Sequence, residues 1–304
     1  MTSGSTAPLV LAVPVFQGER FLAETLASLN AQREDVRWWL QDGASKDGTL
    51  EIARRVARPG DQIVSEADGG QADALNRAFQ NMGGEIVGFL NADDLLLPGA
   101  ARTVLDYFAA HPDIDLVYGE VEWIDEHSKV TGRHAGCISS LAEVLDIYRV
   151  WWADRQWVQP EVFFRRTLWE KAGGFDTSWH LAFDYDFWVR CFRAGARVAH
   201  LPAPLTRFRL HAAQKSSASR QAADEIRAIV RQHLDQGAGL PTVRRWTLEA
   251  ELSYDLYQGG GNGQPRRSFP AEMLRHPQWL LASNARSRLH AACTRLLKQG
   301  KQSL

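Results

Sequence analysis

Glu85-Ile86-Val87-Gly88-Phe89-Leu90-Asn91-Ala92-Asp93-Asp94-Leu95-Leu96-Leu97-Pro98 runs a short apolar strand directly into two adjacent carboxylates. The first six residues read as a buried strand, and Pro98-Gly99 punctuates the chain before a new helix. A helix cap accounts for one acid of the pair. Two acids at a strand's carboxyl end, where open parallel sheets bind their ligands, point to a cation.

Working outward, strands and helices alternate. Leu9 to Val15 reads as a strand and Arg20 to Gln32 as a helix; Val36 to Gln41 as a strand and Leu50 to Ala57 as a helix. Gln62 to Ser65 is a strand, Ala72 to Asn81 a helix, and Gly99 to Ala110 another helix after the acid pair. Repeated βα units predict a parallel sheet covered on both faces. Alternation of Leu116, Tyr118, Val121 and Trp123 adds a longer strand, Asp115 to Asp125, open to antiparallel pairing. From about Ser217 the pattern is helical, over Ala222 to Leu234, Val243 to Tyr257 and Leu281 to Leu297, broken by the glycine-rich stretch Gly259 to Pro265. This divides the chain into a domain over 1–216 and a helical extension over 217–304.

Composition narrows the function. In 304 residues the formal net charge is -1, which gives no global attraction to nucleic acid. Three cysteines far apart match no metal or redox spacing and read as reduced core thiols of a cytoplasmic protein. No apolar run is long enough to span a bilayer, and the first residues lack the pattern of a signal peptide. The last helix carries Arg286, Arg288, Arg295, Lys298 and Lys301, a basic amphipathic tail suited to peripheral contact with the inner face of an anionic membrane.

Further acids follow other strands: Asp42 after the second, Glu66 and Asp68 after the third. They are expected to converge with Asp93 and Asp94 on one crevice. No G-x-G-x-x-G and no Walker-type lysine is present. An acid-lined site that holds a phosphate requires a divalent cation between the two.

Four segments in order, Val13-Pro14-Val15-Phe16, Gln41 to Thr49, Ser65 to Asn76 and Leu90-Asn91-Ala92-Asp93-Asp94, resemble the family 2 inverting glycosyltransferases. Gly173-Gly174-Phe175-Asp176, then Phe183 to Arg190, and finally Phe208-Arg209-Leu210-His211 extend the resemblance over Leu9 to Ser217. It implies the GT-A fold: an α/β, Rossmann-like mixed sheet flanked by helices that binds a nucleotide-diphospho-sugar, here with a helical C-terminal extension.

Carried over by residue, the resemblance implies that Pro14 and Val15 line the base pocket and that Asp42 and Asp68 hydrogen-bond nucleobase or ribose, with Asn76 and Ala92 in the same binding set. Asp93 ligates Mn²⁺ or Mg²⁺ and His211 completes the metal site. Asn91 stands where the family's D-x-D motif has its first Asp and keeps a carbonyl for ribose or metal. Asp94 supports the metal or contacts the donor sugar. Asp184 is the catalytic base, with Asp186 as the competing choice, since Phe183 occupies the place of the family's usual Glu.

The expected reaction moves a sugar from a nucleotide-diphosphate donor, UDP-sugar favoured, to a hydroxyl acceptor, saccharide or lipid-linked, in cell-surface polysaccharide or glycolipid synthesis. Tyr148, Arg149, Trp151, Trp152, Arg155, Trp157 and Gln159 are an aromatic-rich candidate for the acceptor wall. Gln214, Lys215, Ser216 and Ser217 are a candidate lid over the diphosphate. Two other readings stand beside this one. A nucleotidyltransferase calls for a basic, glycine-rich loop where the chain has Gln17-Gly18-Glu19-Arg20, and a silent nucleotide-binding scaffold is raised by Asn91 and Phe183.

Overall fold

The computed structural model describes residues 8–212, 214, 219–237, 239–259, 273, 275–283 and 285–288. The chain divides into two compact units, Met1–Ile226 and Arg227–Leu304. The first is built on β1 (Leu9–Val15), α1 (Leu22–Asn30), β2 (Val36–Asp42), α2 (Thr49–Val56), β3 (Gln62–Ser65), α3 (Gln71–Asn81), β4 (Ile86–Phe89), β5 (Leu95–Leu96) and α4 (Ala100–Ala110). There follow β6 (Leu116–Ile124), β7 (Val130–Ala135), α5 (Leu141–Leu145), β8 (Val162–Arg165), α6 (Arg166–Ala172), α7 (Phe183–Arg193) and β9 (Val198–Arg209). α8 (Ser219–Asp235) crosses the division and α9 (Thr242–Gly259) lies in the second unit.

The strands form one nine-stranded sheet in the order β3-β2-β1-β4-β8-β6-β9-β5, with β7 on β6. β1, β2, β3 and β4 are mutually parallel, as the βα alternation predicts. Beyond β4 the sheet turns mixed: β8 runs antiparallel to β4 and to β6, while β9 is parallel to β6 and antiparallel to β5. The strand read over Asp115 to Asp125 thus has antiparallel partners on one edge, β8 for its first half and β7 for its second. The helix expected over Arg20 to Gln32 is shorter, Leu22–Asn30, and Arg33, at φ 54°, stands three residues past its end.

Both faces of the sheet are covered, with different chemistry on each. Leu9, Leu11, Val13 and Val15 alternate along β1 onto one face, where Leu22, Leu26 and Leu29 of α1 and Val104 and Phe108 of α4 join one buried cluster. The opposite face is aromatic. Phe79 of α3 stacks on Phe164 at 5.8 Å and on Trp169 at 5.4 Å, and Phe175 meets Phe187 at 4.7 Å. Adjacent Phe163 and Phe164 in β8 therefore feed opposite faces. α3 and α7, which flank the cleft described below, are anchored by the aromatic layer.

The second unit has its own small core. Trp279 packs edge-on against Tyr254 of α9 at 5.5 Å and donates its indole N–H to Ser253 Oγ at 3.1 Å, with Ala250, Met273, Ala282 and Ala285 around it. Arg227 and Asp255 form a 2.7 Å ion pair. The helix read over Leu281 to Leu297 is preceded by a 3-10 turn over Pro277–Leu281; Arg286 and Arg288 are helical, and Arg295, Lys298 and Lys301 lie outside the described residues. No helix among the described residues is long and apolar enough to cross a membrane.

Gly119 in β6 has no room for a side chain. A Cβ there would lie 2.4 Å from Leu205 Cδ1 and 3.0 Å from the Ala203 carbonyl. Gly119→Ala is expected to destabilise the first unit by roughly 1–3 kcal/mol, read by denaturant unfolding; an unchanged midpoint would show that β9 yields freely.

Candidate functional site

A cleft of about 600 Å³ opens at the carboxyl ends of β1 and β4. That volume suits a small-molecule or cofactor site. Its lining includes Pro14, Val15, Phe16, Arg20 and Phe21 from the β1–α1 connection, Asp68 and Gln71 at the start of α3, Asn91, Ala92 and Asp93 after β4, Gln159, Phe183 and Asp184 of α7, and His211 and Gln214 after β9. The topology thus gathers residues that lie up to about two hundred positions apart.

The loop after β1 is held by the turn after β2. Ser45 Oγ accepts the Gln17 N–H at 2.7 Å, Thr49 Oγ1 accepts the Gly18 N–H at 2.9 Å, and Glu19 Oε2 accepts the Gly48 N–H at 2.7 Å. Gln17 and Ala44 both sit in the left-handed region, at φ 51° and 63°, so each loop holds backbone that non-glycine residues seldom adopt. Gly43 matters for space: a Cβ would meet Asp68 Oδ2 at 2.9 Å and the Phe16 ring at 3.4 Å. Phe16 itself is 65% exposed in the cleft, a large apolar face open to a ligand.

Adjacent Asp93 and Asp94 have different environments. Asp93 faces the cleft, and its Oδ2 lies 2.9 Å from His211 Nε2 across 118 residues of sequence. Asp94 is buried, accepts the Arg209 N–H at 3.0 Å and takes Asn91 Nδ2 at 3.3 Å. Burial, then the neighbouring Asp93 carboxylate, push the Asp94 carboxyl well above its ordinary range. Asn91 Oδ1 accepts from Gln71 Nε2 at 2.7 Å, and Asn91 Nδ2 also reaches Gln159 Oε1 at 3.2 Å. Gln159 in turn donates to the Phe89 carbonyl at 2.6 Å, which ties the end of β4 to the network.

The structure separates the two candidate bases. Asp184, in the first turn of α7, lines the cleft with Phe183; its Oδ1 accepts the Tyr185 N–H at 2.8 Å. Asp186 is buried and held by Arg190 Nε at 2.7 Å. Two backbone N–H groups just before α7, of Leu181 and Ala182, are accepted by Glu225 Oε2 at 2.8 and 3.0 Å. Tyr185 and Trp188 of the same helix are turned into the core; Tyr185 donates its hydroxyl to the Val144 carbonyl.

Other expected site residues lie elsewhere. Asp42 is buried, accepting Ser65 Oγ at 2.6 Å and the Ser45 N–H at 3.0 Å, so it shapes the turn after β2. Asn76 is outside the lining: its amide donates to the Phe175 carbonyl and accepts the Phe175 N–H, both at 2.8 Å, clasping Gly174 at φ 73°. Asp94 is likewise behind the cleft wall. Glu66 is exposed and pairs with Arg77 at 3.1 Å. Of the aromatic-rich segment only Gln159 reaches the cleft; Trp157 packs against Tyr118 and Trp188 instead. Lys215, Ser216 and Ser217 lie outside the described residues, while Gln214 accepts the His211 N–H at 2.8 Å.

Sequence reasoning gave no role to Phe16, Arg20, Gln71 or Arg209, although each stands within or beside a motif it identified. Arg209 is the deepest of them. Its guanidinium donates to the Asp93 carbonyl, to Ser128 Oγ and to Glu24 Oε2 at 2.8 to 2.9 Å.

The comparisons with known proteins bear on this site. A family model described as Glycosyl transferase family 2 matches residues 10–181. The O-antigen biosynthesis protein RfbC of Myxococcus xanthus is 28% identical over 281 residues, which cover 90% of this chain and 20% of that protein, so the chain spans about a fifth of this relative. Among solved structures, S. aureus TarS 1-349 in complex with UDP-GlcNAc is similar with a TM-score of 0.63 at 16% identity, covering 91% of this chain and 79% of that one. The mannosyltransferase PcManGT from Pyrobaculum calidifontis, in complex with GDP-Man and Mn2+, has a TM-score of 0.56 at 19% identity over 92% of this chain and 82% of that one. At these identities the two structures establish a shared fold.

Beside the cleft, Glu161 is fully buried; its Oε1 accepts the Val158 N–H at 3.0 Å and its Oε2 has no partner. Burial raises its carboxyl well above the ordinary value of 4.5. A raised folded-state value means that the stability it contributes is complete below about pH 4.5 and falls as pH climbs through the folded value. Relative to Glu161→Gln, which does not titrate, the wild type should therefore lose stability as pH rises from 4 to 8. A pH-independent difference in denaturation midpoint would refute this.

Proposed function

Because the chain belongs to glycosyl transferase family 2, we propose that it moves a sugar from a nucleotide-diphosphate donor to an acceptor hydroxyl, by an inverting displacement aided by Mn²⁺ or Mg²⁺. The observation that carries this is the convergence of Asp93, His211 and Asp184, from three distant segments, on one cleft at the carboxyl ends of parallel strands.

The residues fit a hard divalent cation. Asp93 offers an oxygen and His211 a ring nitrogen 2.9 Å away, close enough that one ion would take both as ligands. No group of three or more His, Cys, Asp or Glu is suited to a metal among the described residues. Two protein ligands would leave the ion's other positions to phosphate oxygens and water, as divalent ions at phosphate sites keep them. Asn91 engages its amide with Gln71, Asp94 and Gln159, so its support to the metal runs through the loop's shape. When bound, the ion neutralises charge on the departing diphosphate.

The chain's own residues supply the rest. Phe16 presents a face for the nucleobase at the cleft mouth, between the ends of β1 and β2, and Asp68 offers a carboxylate to ribose hydroxyls. Asp184 takes the proton from the acceptor hydroxyl as it attacks the anomeric carbon, and its negative charge favours the oxocarbenium-like transition state. Its position in the lining, with Asp186 locked to Arg190, supports Asp184 as the base. A UDP-sugar is the favoured donor, and the UDP-GlcNAc held by TarS supports that choice. The O-antigen name of the Myxococcus relative supports a cell-surface saccharide acceptor.

Asp184→Asn should lower kcat by roughly 10² to 10⁴ while nucleotide binding stays within twofold. Asp93→Ala should abolish the Mn²⁺ dependence of UDP, GDP or dTDP binding measured by calorimetry. Metal-dependent binding that survives Asp93→Ala would remove Asp93 from the metal site, and full turnover by Asp184→Asn would remove the base.

A further inference from the structure

The charge balance of the cleft leaves one demand unmet by the reading above. Asp68, Asp93 and Asp184 line it, and a nucleoside diphosphate adds further negative charge. A divalent ion offsets only part of this. Among the described lining residues, Arg20 is the one side chain with permanent positive charge.

Arg20 is also well placed. Its guanidinium lies 4.6 Å over the Phe21 ring, and that ring contacts the His211 imidazole at 4.9 Å. Arg20 and His211 thus contact the same ring and line the same cleft as Asp93. Its ion-pair partner is Glu126, at 2.6 Å, in the turn between β6 and β7; the two side chains are 59% and 46% exposed. Glu126 has a second neighbour in His127, at 3.8 Å and largely exposed.

An exposed pair of this kind contributes little stability and is readily exchanged. A diphosphate offers the guanidinium several oxygens and a bidentate geometry. We infer that Arg20 is the protein's cation for the donor diphosphate, trading Glu126 for the phosphate oxygens when donor binds; the inference rests on the nucleotide-diphosphate reading of the cleft. Glu126 acts as an internal competitor for the guanidinium. No covalent step is involved.

The test is calorimetric titration of the full chain with UDP and with uridine, each with Mn²⁺ present. Arg20→Ala should raise the Kd for UDP roughly tenfold or more, as loss of a charge-assisted contact implies, and leave uridine binding within twofold. Arg20→Lys should fall between the two. Glu126→Gln, which removes the competing charge, should lower the Kd for UDP by roughly two- to fivefold. Unchanged UDP affinity in Arg20→Ala would overturn the inference. So would equal losses for UDP and uridine, since Arg20 would then shape the loop rather than meet phosphate. Failure of the wild type to bind UDP, GDP or dTDP would instead overturn the donor reading itself.

Discussion

The buried guanidinium of Arg209 holds four parts of the first unit in register. It is 1% exposed, at the end of β9. Nε donates to the Asp93 carbonyl at 2.8 Å, Nη1 to Ser128 Oγ at 2.9 Å and to the Asp125 carbonyl at 3.3 Å, and Nη2 to the Glu24 carboxylate at 2.9 Å. Its plane lies 4.5 Å over Phe21. An unpaired charge at that depth would cost several kcal/mol. Every nitrogen of this one has an acceptor, so α1, the β6–β7 turn, the loop after β4 and the end of β9 are fixed by the demand of a single cation. Glu24, from its side, is lowered in pKa by the Ser128 hydrogen bond and by Arg209.

That anchor explains why the acid pair divides its labour. The Arg209 backbone N–H takes Asp94 into the interior, and its guanidinium holds the Asp93 carbonyl, which leaves the Asp93 side chain in the cleft, 2.9 Å from His211, itself two residues past Arg209. Asn91 fits the same constraint. An amide can donate to the buried Asp94 oxygen and still accept from Gln71, whereas a carboxylate at 91 would face Asp94 without a proton to give. Asn91 thus makes both contacts at once, and Asp93 keeps its place in the cleft.

The legible part of the fold was the part with local signals. β1 and β3 occupy the residues read as strands, and α2, α3 and α4 lie within a residue of their expected starts. β5 is two residues long, β8 is four, and the pairing of β9 with both β6 and β5 depends on partners distant in sequence. Such pairing leaves no periodicity to read. Site residues followed the same rule. Asp93, Asp68 and Asp184 follow strands or open helices and do line the cleft, yet Asp42 shares that signal and is consumed by Ser45 and Ser65. Whether an acid after a strand faces a ligand or its own turn depends on which hydroxyls the next residues bring, and Ser65 comes from a different strand.

The aromatic segment shows the converse. Tryptophans at 151, 152 and 157 look like a sugar-binding wall in sequence, but the sheet's second face is already an aromatic layer, and Trp157 completes it against Tyr118, Trp188 and Phe192. Beside Phe16, Phe21, Phe183 and His211, the cleft holds polar amides, three carboxylates and one exposed guanidinium. The Phe21 ring then meets two arginines of opposite character, the buried Arg209 at 4.5 Å and the exposed Arg20 at 4.6 Å. A buried ion whose acceptors are all internal resists displacement, while an exposed pair contributes at most about 1 kcal/mol and exchanges freely. One ring thus touches a cation whose acceptors are all internal and a cation whose exposed pair can yield to a ligand.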